Sequence, residues 1–339
     1  MSALQVTWFF LIGVLLVGYA ILDGFDLGVG IWHLFTKTDK DRRTLLNAIG
    51  PVWDGNEVWL LTAGGAIFAA FPHVYATVFS GLYLALMLVL FALIFRAVSL
   101  EFRSKMPSPG WRKTWDVAFA VGSILPALLF GVAMGNILRG LPLSESKDFA
   151  GTFFGLLNPY ALLIGLLGLA MFATHGATYI VLKTEGELAK RARGWAGKAW
   201  TAYLALFIVA VVATMITQPQ LLANCKAMPF LWVVPVIALV AIVVTGVLTR
   251  KGQAGPAFVW SALSIAGLMA MCGTGIFPNV VPALNDPELS LTIMNASSSP
   301  LTLKVMLIVA LIGMPLVLIY TAWVYRVFSG KVQLTADSY

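Results

Sequence analysis

The chain has 339 residues, of which 60% are apolar and 11% charged, against about 45–50% and about 25% in soluble domains. Its 22 Lys and Arg outnumber its 15 Asp and Glu, for a formal net charge of +7. This excludes a soluble enzyme, a disordered chain and a disulfide scaffold. Long unbroken apolar runs, rather than alternating ones, also exclude an outer-membrane barrel. In lipid such runs must be helices, because every backbone polar group needs an internal partner.

The expected fold class is therefore an all-α polytopic membrane protein with nine transmembrane helices. In chain order the spans are 6–35, 50–71, 75–100, 114–138, 158–182, 196–217, 229–249, 257–279 and 301–328, each near or above the ~20 residues needed to cross a bilayer. Turn chemistry separates them at Phe71-Pro72-His73, Met106-Pro107-Ser108-Pro109-Gly110, Gln218-Pro219, Gly252 to Pro256 and Asn285-Asp286-Pro287. The first span has no Lys or Arg before it and no small-residue cleavage site, so it reads as a retained helix rather than a signal peptide. Spans 1 and 5 both leave through a Gly, at Asp23-Gly24 and His175-Gly176. This weak repeat suggests two four-helix bundles, 1–138 and 158–279, a peripheral ninth helix at 301–328 and a tail at 329–339.

Basic residues set the orientation. They follow span 1 (Lys37, Lys40, Arg42, Arg43), span 3 (Arg103, Lys105, Arg112, Lys113), span 5 (Lys183, Lys190, Arg191, Arg193, Lys198), span 7 (Arg250, Lys251) and the last span (Arg326, Lys331). The opposite side has Arg139, Lys147, Lys226 and Lys304. The positive-inside rule then places the N-terminus outside and the C-terminus in the cytoplasm. It also accounts for the net charge without a nucleic-acid partner. The two cysteines, Cys225 and Cys272, fall in an outer loop and a span, which argues against a disulfide.

Ionisable groups inside spans cost roughly 2.5–3.5 kcal/mol each on insertion scales and default to function. Span 1 carries Asp23 and Asp26, span 2 Asp54 and Glu57 with Asn56 between them, and span 3 Arg96 with Glu101 beyond it. Residues three apart share a helix face. At 1.5 Å per residue Asp26 lies ~14 Å from the inner end of span 1 and Asp54, counted from a start near Ala48, ~9 Å into span 2, so all could meet in the cytoplasmic half. One arginine can hold one of these acids as a carboxylate and leave the others to exchange protons, as a proton path requires. The alternative is structural: Asp54 and Glu57 complementing the dipole of their helix, and Asp23 and Asp26 capping it or pairing with Arg96. Asp116, read in the first turn of span 4, is expected to serve the dipole.

There are three histidines. His33 and His73 read as interfacial. His175, inside span 5, reads as a packing histidine or a single axial haem ligand. No pair stands at facing depths for a bis-histidyl haem, and the twelve methionines read mostly as packing. From the residues alone, the rival functions are a proton-coupled secondary transporter and a membrane anchor for a dehydrogenase.

Several stretches resemble subunit II of the cytochrome bd-type quinol oxidases, including their cyanide-insensitive branch. They are Asp23-Gly-Phe-Asp26-Leu-Gly-Val-Gly30, Gly50-Pro-Val-Trp53-Asp54-Gly-Asn56-Glu57-Val-Trp59, Thr62 through Pro72, Phe95-Arg96 and Phe102-Arg103-Ser-Lys105. The pattern continues through Gly135-Asn136, Leu157-Asn158-Pro159, Gly176-Ala-Thr-Tyr179, Ser299-Pro-Leu-Thr302-Leu and Tyr320-Thr-Ala-Trp323. The resemblance implies a multi-pass subunit of the bacterial inner membrane that ligates no haem itself. It implies an obligate heterodimer with subunit I, which carries haems b and d, oxidises quinol and reduces O₂ to water. Small single-helix subunits and a bound quinone or lipid belong to the same expectation. It further implies a cytoplasmic proton-uptake path through Asp26, Asp54, Arg96 and Glu101, with Asp23, Asn56 and Glu57 nearby and Trp59 beside an oxygen route. The chain departs from the family pattern, which often has Gln at the position of Glu57 and Asp at that of Glu101. Its loop after span 6, Gln218 to Met228, is also short.

Overall fold

The computed structural model describes residues 1–334; of the expected tail, 335–339 lie outside the described residues. Twelve helices follow one another in this range: α1 (Ala3–His33), α2 (Asp39–Ile49), α3 (Trp53–Ala70), α4 (Pro72–Gly81), α5 (Tyr83–Phe102), α6 (Pro109–Arg139), α7 (Pro159–Lys183), α8 (Gly186–Thr217), α9 (Ala223–Ala227), α10 (Val233–Arg250), α11 (Ala254–Ile276) and α12 (Pro300–Val327). Their starts show the expected chemistry. Ser2 and Gln5 form a capping box on α1. Asn158 accepts from the Ala161 N–H ahead of Pro159 at the start of α7.

Among the described residues, eight helices are long and apolar enough to cross a bilayer: α1, α5, α6, α7, α8, α10, α11 and α12. At 18 residues α3 is about 27 Å long at 1.5 Å per residue. The polar residues Asp54, Asn56 and Glu57 in its first two turns lower its hydropathy.

Helices α1 and α7 lie at the centre. α1 packs against α3, α6, α7 and α11, and α7 against α6, α8 and α11. The two central helices touch backbone to backbone. A Cβ on Gly28 would sit 2.1 Å from the Phe172 carbonyl oxygen and 2.6 Å from the Gly176 Cα, so both positions need glycine. By contrast α12 lies against α1 and α3 with its apolar window unburied.

The structure differs from the expected elements at four places. The segment after the first span forms α2. Thr38 caps it by accepting from the Asp41 N–H at 3.1 Å, and Leu45, Leu46 and Ile49 turn into the core. The expected third span, 75–100, breaks at Leu82 into α4 and α5, where the Phe149 ring presses on Gly81. The eighth span ends at Ile276, because Pro278 cannot extend a helix and Asn279–Val281 (β1) pairs antiparallel with Leu291–Thr292 (β2). Finally, the two loops at the end away from the basic segments are joined. The Leu141 N–H donates to the Pro282 carbonyl at 2.9 Å and the Leu284 N–H to the Leu141 carbonyl at 2.8 Å, while the Asn285 amide brackets Leu143.

Candidate functional site

α1, α3, α5 and α12 bring polar side chains to one point. Asp23 and Asp26 on α1 and Arg96 on α5 are fully buried, and Asn56 on α3 nearly so. Arg96 forks onto Asp23, with Nη1 donating to Oδ2 at 3.0 Å and Nη2 to Oδ1. This two-pronged arrangement is the strongest form of a guanidinium–carboxylate pair. Arg96 Nη2 also lies 3.2 Å from Glu57 Oε1, an ion-pair distance, and the Glu57 side chain is 23% exposed. One arginine thus serves two acids, one sealed and one reaching the surface.

Asp26 is held differently. The Asn56 amide nitrogen donates to its Oδ2 at 2.7 Å and to the Leu22 carbonyl at 3.2 Å. The other carboxylate oxygen, Oδ1, is buried with no hydrogen-bond partner in the protein. The Tyr325 hydroxyl on α12 donates to Asn56 Oδ1 at 2.9 Å. Tyr19, one turn before Asp23, places a buried hydroxyl that also has no protein partner.

Of the residues expected in this site, the structure gathers Asp23, Asp26, Asn56, Glu57 and Arg96. Asp54 and Glu101 are exposed, in the first turn of α3 and the last turn of α5, at the end of the molecule where the basic loops lie. Trp59 is buried against Leu15, Tyr19 and Ala63. Its ring covers Gly18, where a Cβ would come within 2.3 Å.

A second ion cluster lies at the same end. Asp116 is buried and falls on the third turn of α6 rather than the first, so the dipole reading is corrected. It binds two guanidinium groups and an imidazole: Arg103 Nε at 2.6 Å, Arg42 Nη1 at 2.7 Å and His33 Nε2 at 2.6 Å. Asp39 extends the network to Arg103 at 2.7 Å and Arg112 at 3.2 Å. His33, the last residue of α1, is fully buried. Asp41 on α2 pairs with Arg191 on α8 at 2.6 Å, so α2 is pinned on both sides.

His175 is a packing residue. Its Nδ1 bonds with Ser261 Oγ at 2.6 Å and its Nε2 with the Ile21 carbonyl at 3.0 Å. Its ring stacks on Phe258 with centroids 4.7 Å apart. With both nitrogens engaged, it does not fit a haem iron. Among the described residues no group of three His, Cys, Asp or Glu converges to hold a metal ion.

Sequence reasoning missed Tyr325 and the Asp116 network. Tyr325 stands two residues past the Tyr320–Trp323 stretch. The network joins partners up to 83 residues apart, for which local spacing gives no signal.

Comparison with known proteins gives consistent findings. Residues 4–328 match the family described as cytochrome bd terminal oxidase subunit II. The cytochrome bd-I ubiquinol oxidase subunit 2 of Escherichia coli is 40% identical over 98% of this chain and 96% of its own length. The cytochrome bd ubiquinol oxidase subunit 2 of Bacillus subtilis is 36% identical over 98% of both. In the solved structure of bd oxidase from Geobacillus thermodenitrificans, one chain shares the fold with a TM-score of 0.79 at 17% identity, covering 96% of this chain and 99% of that one.

Proposed function

We propose a function from one premise: this chain belongs to the family of cytochrome bd terminal oxidase subunit II. It is a multi-pass membrane protein and a subunit of a cytochrome bd quinol oxidase, an oxidoreductase complex. On that footing we read it as the haem-ligand-free partner of subunit I. It scaffolds that subunit in an obligate heterodimer in the bacterial inner membrane and conducts protons from the cytoplasm toward the site of O₂ reduction. In this reading α3 is the ninth span, the two four-helix bundles meet where α1 crosses α7, the N-terminus is outside and the C-terminus is cytoplasmic. Haems b and d sit in the partner.

The observation that carries the proton reading is the Asp23–Arg96–Glu57 cluster, sealed except at Glu57, beside Asp26. Four-proton reduction of O₂ in a buried centre needs an acid-lined route. Buried acids grouped round one cation supply proton acceptors of similar strength, and differing environments divide their roles. Asp54 and Glu101 stand at the cytoplasmic mouth. Asp54 shares a face of α3 with Glu57, three residues on, and Glu57 meets Arg96. Asp23 and Asp26 form the sealed inner end. An apolar groove of about 1100 Å³ runs from Leu60 and Phe68 past Met134 and Ile164 to Phe207 and Trp232, and we assign it to a lipid or the tail of a quinone.

The test is purification of the tagged chain from its own membranes in mild detergent. A larger haem-bearing subunit should copurify, with quinol-driven O₂ uptake, and Asp54→Asn should slow that uptake at unchanged haem content. A colourless preparation lacking a partner would instead support a proton-coupled secondary transporter, which the family membership does not favour.

A further inference from the structure

The last helix reaches the cluster through one side chain. Asn56 has two amide N–H groups and one carbonyl oxygen to satisfy. Its nitrogen serves Asp26 Oδ2 and the Leu22 carbonyl. A backbone carbonyl only accepts, so Leu22 fixes which way the amide faces: nitrogen toward Asp26, oxygen away. That buried oxygen then needs a donor, and the Tyr325 hydroxyl supplies it at 2.9 Å. If the amide turned over, its oxygen would face a carboxylate oxygen, two acceptors with no proton between them. Tyr325 completes the set of bonds that prevents this. The Asn56 amide has no proton to give up near neutral pH, so the Tyr325–Asn56–Asp26 line orients Asp26 and does not relay a proton.

Tyr325 can do this only if α12 sits at the right height. The apolar window of α12 has no fully buried residue; one edge of the helix, with Leu303, Met306, Leu307, Ala310 and Met314, packs on the rest of the chain. Its ends are also tied. At the start the Trp8 indole N–H donates to the Leu303 carbonyl at 2.9 Å. Past the end, α7 and residues 328–332 clasp each other. Lys183 Nζ donates to the Phe328 carbonyl at 2.5 Å, and Lys331 Nζ donates to the carbonyls of Val181 and Thr184 at 3.2 and 2.9 Å. The Val332 N–H donates to the Lys183 carbonyl at 2.9 Å. The dipole at the C-terminus of α7 favours the two ammonium groups, against the repulsion between two like charges, and the carbonyl acceptors hold them there.

We infer that Tyr325 is a positioning residue for proton transfer at Asp26, acting through Asn56, and that the Lys183–Lys331 clasp keeps it in register. The inference rests on the reading of Asp26 as part of the proton route.

The test uses the intact haem-bearing complex. Cytoplasmic-side proton uptake is followed with an indicator dye as the reduced complex reacts with O₂, for wild type, Tyr325→Phe, Asn56→Ala, the double variant and Asp26→Asn. Tyr325→Phe is expected to slow proton uptake about tenfold, as small misplacements of reacting groups do, while haem content and KM for quinol stay unchanged. In the Asn56→Ala background it should change the rate by less than about twofold, because residues acting through one contact are not additive. Wild-type uptake in Tyr325→Phe, or independent losses that multiply in the double variant, would overturn the inference. Should Tyr325→Phe fail to assemble, Lys331→Met loosens the register without touching the cluster. The same slowed uptake is expected there, and normal uptake would overturn the inference. If Asp26→Asn itself takes up protons at the wild-type rate, the reading of the site fails; slow Asp26→Asn with normal Tyr325→Phe overturns the positioning role alone.

Discussion

Asp23 and Asp26 stand three residues apart on one face of α1 and are held in opposite ways. Asp23 is forked by Arg96 through both oxygens. Asp26 receives a neutral amide on one oxygen and keeps the other without a protein partner. In the proton route proposed above, Asp26, with that unpartnered oxygen, is the acid that takes and releases the proton, while Asp23 anchors Arg96.

Arg96→Ala removes the cation from two acids at once. Breaking a buried pair by deleting one partner costs about 3–5 kcal/mol, because the remaining charge is stranded. We expect little assembled complex in membranes, measured by haem content per unit of tagged chain. Arg96→Lys should recover only part of it, since an ammonium cannot fork onto both oxygens of Asp23.

Asp116→Ala should act on structure rather than on turnover. It leaves His33 and the Arg103 Nε–H buried without their acceptor, Arg103 keeping only Asp39, and frees Arg42, which ties α2 to α6. Limited proteolysis should cut within residues 36–52 faster than in wild type. Complex that survives purification should consume O₂ at close to the wild-type rate per haem.

Gly28→Ala places a methyl group 2.1 Å from a backbone oxygen of α7, where no side-chain rotation can relieve it. The two central helices must then part, and loss of folded protein is expected. Gly194→Ala in α8 is the control. A Cβ there meets nothing within 4 Å, and alanine in a helix interior gains roughly 0.5–1 kcal/mol over glycine. Thermal inactivation of the two variants should shift in opposite directions.

The long helices were readable because a bilayer demands apolar runs of fixed length. The acid cluster was readable because charge inside such runs is costly and therefore conspicuous: Asp23, Asp26, Asn56, Glu57 and Arg96 all stood out before their contacts were known. α2 was legible in principle, with Thr38 at its cap, Asp41 three residues on and Leu45, Leu46 and Ile49 on one face. It was masked by the basic residues that mark the same segment as a loop. The Asp116 network, the Leu141–Pro282 junction and the Tyr325–Asn56 bond were not legible. Each joins residues far apart in the chain through ordinary side chains or backbone, and nothing local marks the partner. Asp54 illustrates the converse: its spacing from Glu57 put it on the right face, but the start of α3 lies near enough to the surface to leave it exposed.

The central claim is that protons for O₂ reduction pass through the cluster around Asp26. It is tested most directly by reconstituting the complex in closed vesicles and measuring proton uptake from the cytoplasmic side during quinol oxidation, for wild type and Asp26→Asn. Asn keeps the shape of the side chain and removes the titratable group. Loss of a group that transfers protons typically slows a step by about 10²–10⁴-fold, so the account predicts uptake and O₂ consumption falling together by at least tenfold with haem spectra unchanged. Wild-type uptake with a full complement of haem would contradict it.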